Sequence, residues 1–342
     1  MKIPRLADLL PAVTNDLPSV LLSPTASARV TRAAAVVPRA MSSFGFECRL
    51  HAGDESVDIG ISVEPTNGGA AVLAGQLADE QLALAACHHD AWRRLQSFAA
   101  RWVECPSPLR TWVPFVFLEF DTDGALVPVP IPSVFVALDW PLQSSPGTPP
   151  VARPICEVAH DALALLMGDG LRPAVIRQLR ACFEALPPAG WVSHAAAMLS
   201  RDPATARLSV ELPRSALRVY LERLGWMQWS RDLEEILEML GGDVRSVQVD
   251  FDVGECIGPK LGILLPAVGR PGAADLLERA VAAELCTDAK RDAVLGWTGT
   301  VTVPANGESP AVGLRRYLSH LKVSYAPNGS REAKAYLMVR PL

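Results

Sequence analysis

The stretch HLKVSYAPNGSREAKAYLMVRPL, residues 320–342, holds two short runs of alternating apolar and polar residues around Pro327, Asn328, Gly329 and Ser330. Asn-Gly tolerates the positive φ of a tight connection, so the stretch reads as a β-hairpin. On its first strand Leu321, Val323 and Tyr325 share one face, and His320, Lys322 and Ser324 share the other. On its second, Ala335, Leu337 and Val339 oppose Lys334, Tyr336, Met338 and Arg340. One face is apolar. The other is cationic with a phenol, and what it looks at decides what the chain does.

Working outward, the same pattern recurs four times. FGFECRL and VDIGISVE (44–64) set Phe46, Cys48 and Leu50 against Glu47 and Arg49, and Val57, Ile59, Ile61 and Val63 against Asp58, Gly60, Ser62 and Glu64. WVPFVFLEFD and SVFVALDW (112–140) set Val116, Leu118 and Phe120 against Phe117, Glu119 and Asp121, and Val134, Val136 and Leu138 against Phe135, Ala137 and Asp139. The third hairpin spans 191–212, with Arg207, Ser209 and Glu211 on one face; the fourth spans 244–265, with Gln248, Asp250 and Asp252 together. Helical periodicity fills the intervals. One long helix is expected over 77–102, capped by Asp79, with a helix pair over 155–186, helices at 213–225, 230–241, 272–285 and 288–296, and a short one at 311–318. Residues 142–154 read as a surface loop. Residues 1–43 read as an arm with a short helix, and 44–342 as a single domain.

Ten strands in five hairpins, roughly 50 to 75 residues apart, suit a closed array. An open ten-stranded sheet would leave two unpaired edges, and closure removes them. The fold class expected is α+β: a ten-stranded antiparallel barrel of five hairpins inside a ring of α-helices. If the apolar faces meet the helices, the charged faces line a lumen that side chains do not fill at this strand number. Unpaired charges in a packed interior cost several kcal/mol each, about what a solvated chamber for a polar ligand would avoid. The bland alternative is an ordinary sheet with helices on one side and water on the other.

Bulk properties narrow the classes. The 342 residues are 49% hydrophobic and 20% charged, with a formal charge of −5 and no Lys/Arg run, which argues against nucleic acid as a partner. Seven scattered cysteines without CxxC spacing fit reduced thiols in a cytoplasm. No apolar run reaches membrane-spanning length, so no membrane partner is expected.

Five hairpin units closing a ten-stranded barrel within helices resemble the ABBA prenyltransferases, closest in layout to the bacterial peptide (cyanobactin-type) members. The local match is Lys334-Ala335-Tyr336, similar to the Lys/Arg-x-Tyr strands with which that family grips an allylic diphosphate. The resemblance implies a transferase that moves a prenyl group from an allylic diphosphate to an aromatic or peptide acceptor, in natural-product or peptide modification. It implies diphosphate binding by Arg49, Arg207, Lys260, Lys322, Lys334, Tyr336 and Arg340, and an early-strand glutamate as base, for which Glu47 and Glu119 are candidates. Asp250 and Asp252 share a face and could hold Mg²⁺ with the diphosphate; no organic cofactor is expected. The sequence departs from the family in having only four tyrosines, in placing Gly262 after Lys260 where a tyrosine is expected, and in a second hairpin without a basic residue. Arg218-Val219-Tyr220 falls in a helical pattern and is set aside. The rival reading is a non-catalytic barrel that binds a peptide or small molecule as an accessory in modified-peptide biosynthesis, with the charges pairing among themselves.

Overall fold

The structure is a computed structural model that describes residues 4–123, 130–138, 152–202, 204–241, 244–267, 269–304 and 311–342. Asp139 and most of the expected 142–154 loop lie outside them.

Eleven strands are ordered as β1 (Ser43–Arg49), β2 (Val57–Val63), β3 (Val116–Phe120), β4 (Ser133–Ala137), β5 (Trp191–Ala197), β6 (Ala206–Pro213), β7 (Ser246–Val253), β8 (Ile257–Pro266), β9 (Gly299–Val303), β10 (Val312–Tyr325) and β11 (Arg331–Pro341). Strands β1 to β8 pair each with the next, β8 pairs with β10, β10 with β11, and β11 returns to β1, all antiparallel. Ten strands therefore close into a barrel. The last hairpin closes it: Glu47 faces Tyr336 and Arg49 faces Lys334 across β1 and β11. Its turn forms as the sequence indicates, with Gly329 at φ 81° and the Asn328 side chain accepting from the Ser330 N–H.

The apolar face looks outward. Phe46, Ile59, Leu118, Val136, Leu208, Val249, Ile263, Val323 and Leu337 are buried with the shell helices in one hydrophobic cluster. Burying each such side chain stabilises the fold by about 1.5–3 kcal/mol relative to exposure. The shell comprises α1 (Leu6–Thr14), α2 (Pro24–Val36), α3 (Gly69–Leu73), α4 (Glu80–His88), α5 (Asp90–Val103), α6 (Pro108–Trp112), α7 (Ala152–Met167), α8 (Pro173–Glu184), α9 (Leu217–Arg223), α10 (Arg231–Glu238), α11 (Gly269–Ala282) and α12 (Asp288–Trp297). The arm contains two helices rather than one, and Leu6, Leu9 and Leu10 of the first and Ala26, Val30 and Ala34 of the second join the same cluster. No helix among the described residues is long and apolar enough to cross a membrane.

Two expectations fail for local reasons. The single helix over 77–102 is two, α4 and α5. Asp79 caps α4 by accepting from Leu82 N–H, but His89 takes extended φ and ψ and its ring nitrogen caps α5 by accepting from Ala91 N–H. The short helix over 311–318 is instead the first half of β10, paired with the added strand β9. A bulge between Leu318 and His320 shifts the alternation by one residue there. Leu314, Tyr317, Leu318 and Leu321 consequently imitate the i, i+3, i+4, i+7 spacing of a helix.

Lys290 on α12 fixes the barrel wall near one end. Its ammonium, buried, donates to the carbonyls of Arg49, His51 and Asp54 at 2.9, 2.8 and 2.6 Å, tying down the β1–β2 turn beside Arg49.

Candidate active site

The inward face carries charge at one end and aromatic rings at the other. The charged compartment, about 70 Å³, is lined by Glu47, Glu119, Arg201, Arg207, Asp250, Asp252, Lys260, Lys322, Lys334 and Tyr336, among others. The aromatic compartment, about 320 Å³, is lined by Phe115, Phe117, Phe135, Leu264, Tyr317, Met338 and the two lumen histidines, His194 and His320. Glu119, Asp250, Lys322 and Tyr336 line both. They form the junction.

Sheet register explains the convergence. Lys334 and Tyr336 alternate inward on β11, and Glu47 lies opposite Tyr336 on β1. Glu47 Oε1 accepts from Lys334 Nζ at 2.8 Å and from Arg49 at 2.9 Å, while the Tyr336 hydroxyl donates to Oε2. Burial alone would raise this carboxyl, but Lys334, Arg49 and Lys322 together hold it well below the usual carboxylate range. Burial and the neighbouring Glu47 charge push the Tyr336 phenol far up, so it stays protonated. His320 stacks on the Tyr336 ring at 4.2 Å, and burial with the Lys322 charge brings its imidazole down to about 4. It is neutral at pH 7.

Glu119 differs from Glu47. Burial and the Glu47 charge raise it to about 7 against the opposing pull of Arg201, which donates to its Oε1 at 2.8 Å. A carboxyl with this value takes up and releases a proton near neutrality, as a general base requires.

The sequence-derived cations do not all meet. Lys322, Lys334, Arg207 and Lys260 line the charged compartment with Tyr336. Arg49 lines neither compartment; it is held by Glu47, Asp58 at 2.9 Å and Glu332 at 3.3 Å, behind the others. Arg340 sits at the opposite end of β11, about 20 Å from Lys334 at the rise of an extended strand, and is exposed there. Gly262 explains the missing tyrosine: a Cβ at that position would come within 2.5 Å of the Lys322 stem. Lysine occupies the space a larger residue would need.

Asp250 and Asp252 do share the inward face, but each is drawn to its own cation. Lys322 binds Asp250, and Arg207 Nε binds Asp252 at 2.7 Å. Among the described residues no three His, Cys, Asp or Glu side chains converge as a metal-ligand set. A Mg²⁺ ion held by this pair with a diphosphate would have to displace both cations.

Sequence reading missed Arg201, which lies in the β5–β6 turn, outside any alternating face, and binds Glu119 and Asp121. It also missed the aromatic wall. The signal was present: Phe117 and Phe135 pair on the inward face of a hairpin whose inward acids among the described residues, Glu119 and Asp121, are confined to one end. Gly60 makes room for this wall, since a Cβ there would strike the Phe117 ring at 2.2 Å.

Nearly the whole chain superposes on solved prenyltransferases and dimethylallyltryptophan synthases. The prenyltransferase PriB in its apo form matches with a TM-score of 0.57 and 19% identity, over 99% of this chain and 98% of that one. This chain has the ABBA prenyltransferase fold. The 5-dimethylallyltryptophan synthase from Streptomyces coelicolor matches at 0.52 and 14% identity, over 98% and 97% of the two chains. A 6-dimethylallyl tryptophan synthase matches at 0.51 and 14%, over 97% and 93%. The Streptomyces coelicolor enzyme has also been solved in complex with DMASPP and Trp; that structure matches at 0.52 and 17% identity, over 98% of this chain and 95% of the other. No family model and no curated protein matches the sequence.

Proposed function

We propose that the chain is a transferase that moves a short prenyl group from an allylic diphosphate to an aromatic acceptor within the lumen. The observation that carries this is the division of one cavity into a cation-lined and an aromatic-lined half that share Glu119, Asp250, Lys322 and Tyr336. An allylic diphosphate has the same polarity, an anionic head on an apolar tail. The solved neighbour bound to DMASPP and Trp supports the same pair of ligand classes.

In this reading Lys322, Lys334, Arg207, Lys260 and Arg201 hold the diphosphate. When the allylic C–O bond breaks, the bonding electrons leave with the diphosphate. Fixed cations stabilise that developing charge more than the ground state. Tyr336 and the phenylalanines face the allylic cation with π-electrons and keep water from it. The acceptor ring attacks the cation to form the new C–C or heteroatom bond, and its displaced proton passes to Glu119 at the junction. Glu47, already saturated by three donors, orients Lys334 and Tyr336. The aromatic compartment is at the lower end of the roughly 300–1,000 Å³ typical of small-molecule sites. A single ring system and a short prenyl chain suit it better than an extended peptide.

A second reading is favoured by one observation. Among the described residues the charged compartment is lined by five cationic and four carboxylate side chains, so its charges nearly cancel. That balance suits a non-catalytic barrel holding a neutral or zwitterionic ligand. Thermal denaturation with dimethylallyl and geranyl diphosphates separates the two. The transferase reading expects a rise in melting temperature that Lys334→Ala abolishes, and prenylated product with an indole acceptor. No rise with either diphosphate supports the binding barrel.

A further inference from the structure

We propose that Arg315 and Arg340 form an anion subsite at the open rim of the aromatic compartment, which holds the carboxylate of an acidic aromatic acceptor. This rests on the transferase reading for the word acceptor, but the subsite itself is argued from geometry. Arg315 and Arg340 lie directly opposite each other across β10 and β11. Their guanidinium carbons lie 5.8 and 5.7 Å from the ring of the same residue, Tyr317, which lines the aromatic compartment. Like charges directly opposite in an antiparallel pair oppose sheet formation. Among the described residues neither arginine makes an ion pair.

The adjacent residue shows that this is not a general property of the segment. Arg316 points to the opposite face, where Asp16 binds it at 2.8 Å and the Trp297 ring lies 5.5 Å below it. The arginine facing the shell is neutralised and the two at the lumen mouth are not. A planar carboxylate accepting from both guanidinium groups would remove the repulsion and complete their hydrogen bonding. From Tyr336 to Arg340 the strand runs about 13 Å, a span that the arginine side chains shorten. An aromatic ring placed at the junction with a short acid-bearing arm spans it. The diphosphate has its own cations at the far end.

Calorimetric titration of the whole protein with indole-3-propionate and its neutral amide tests this. The acid is expected to bind at least tenfold more tightly. That preference is lost in Arg315→Gln/Arg340→Gln and largely kept in Arg315→Lys/Arg340→Lys, with folding of each variant checked by its melting curve. The donor analogue DMASPP is expected to bind wild type and the double glutamine variant alike. Equal binding of acid and amide to wild type overturns the subsite, as does failure of both to bind or a preference that survives the glutamine changes. Loss of DMASPP binding in that variant reassigns the arginines to the donor and also overturns it. Product formation is read separately. Absence of prenyl transfer alongside an intact acid preference sinks the transferase reading alone, and transfer without the preference sinks the subsite alone.

Discussion

The two ends of the lumen treat charge in opposite ways. At the β1–β11 end, Glu47, Glu332, Asp58, Arg49 and Lys334 bind one another, and nearby Lys322 and Arg207 are each bound by an aspartate. At the other end two arginines face each other across neighbouring strands, 5.8 and 5.7 Å from the Tyr317 ring, and neither is paired with an acid among the described residues. Buried ions need partners to be tolerated at all, whereas exposed ones are solvated. The paired end is thus a preorganised ion network whose own carboxylates the proposed diphosphate would have to outcompete. The unpaired end stands ready for an anion without such competition.

The largest effect expected follows from burial at the paired end. Lys322→Met leaves buried Asp250 without its ammonium and is expected to destabilise the fold by about 3–5 kcal/mol, measured by urea unfolding. Lys260→Ala, at a side chain 55% exposed with its nearest acid 3.7 Å away, is expected to cost less than about 1 kcal/mol. Equal losses for the two would erase the distinction between partnered and solvated cations.

Next in size is catalysis at the junction. Glu119 must be ionised to accept a proton, so transfer is expected to rise with pH through about 7 and level off above it. Glu119→Gln is expected to lower turnover by about a hundredfold or more and to flatten that limb of the profile. The same group has a stability signature of the opposite sign. Its folded value lies above its ordinary 4.5, so the native state holds the proton more tightly, and stability is lost as pH rises from about 4.5 through about 7. His320 works on the acid side: with its folded value at about 4 against 6.5, stability falls as pH drops from about 6.5 toward 4. Melting temperatures of Glu119→Gln and His320→Gln across pH 4–8 resolve the two contributions.

Two smaller outcomes sharpen the comparison further. Because the carboxylates of the charged compartment are bound by lysine and arginine, EDTA is expected to leave prenyl transfer within about twofold of the rate with added Mg²⁺. At the other end, Arg340→Gln removes a repulsive cross-strand pair and is expected to raise stability by about 0.2–1 kcal/mol at low salt, less as salt is added.

The barrel was legible in the sequence because its strands alternate cleanly and the two faces differ in kind, as in Val57 to Val63 or Lys334 to Arg340. What alternation carries is the side of the sheet, and it assigned Glu47, Lys322 and Lys334 correctly to the lumen face. It does not carry position along the barrel axis. Arg340 was therefore grouped with Lys334, although the closing register sets them at opposite ends. Phase was lost where one extra residue bulges before His320, and with it β10's first half. Arg201 was invisible for another reason: a turn has no periodicity, and only the meeting of β3 with the β5–β6 turn brings it to Glu119.

The absent side chain at Gly262 sets a limit on how this chamber can be remodelled. Lys322 lies across it, so that a Cβ there would meet its Cε at 2.5 Å and its Nζ at 3.4 Å. A ring introduced at 262 would have to expel the ammonium, and Asp250 would then be stranded. More shielding for a reactive carbocation therefore comes here only by exchange, with residues 250, 262 and 322 replaced as a set.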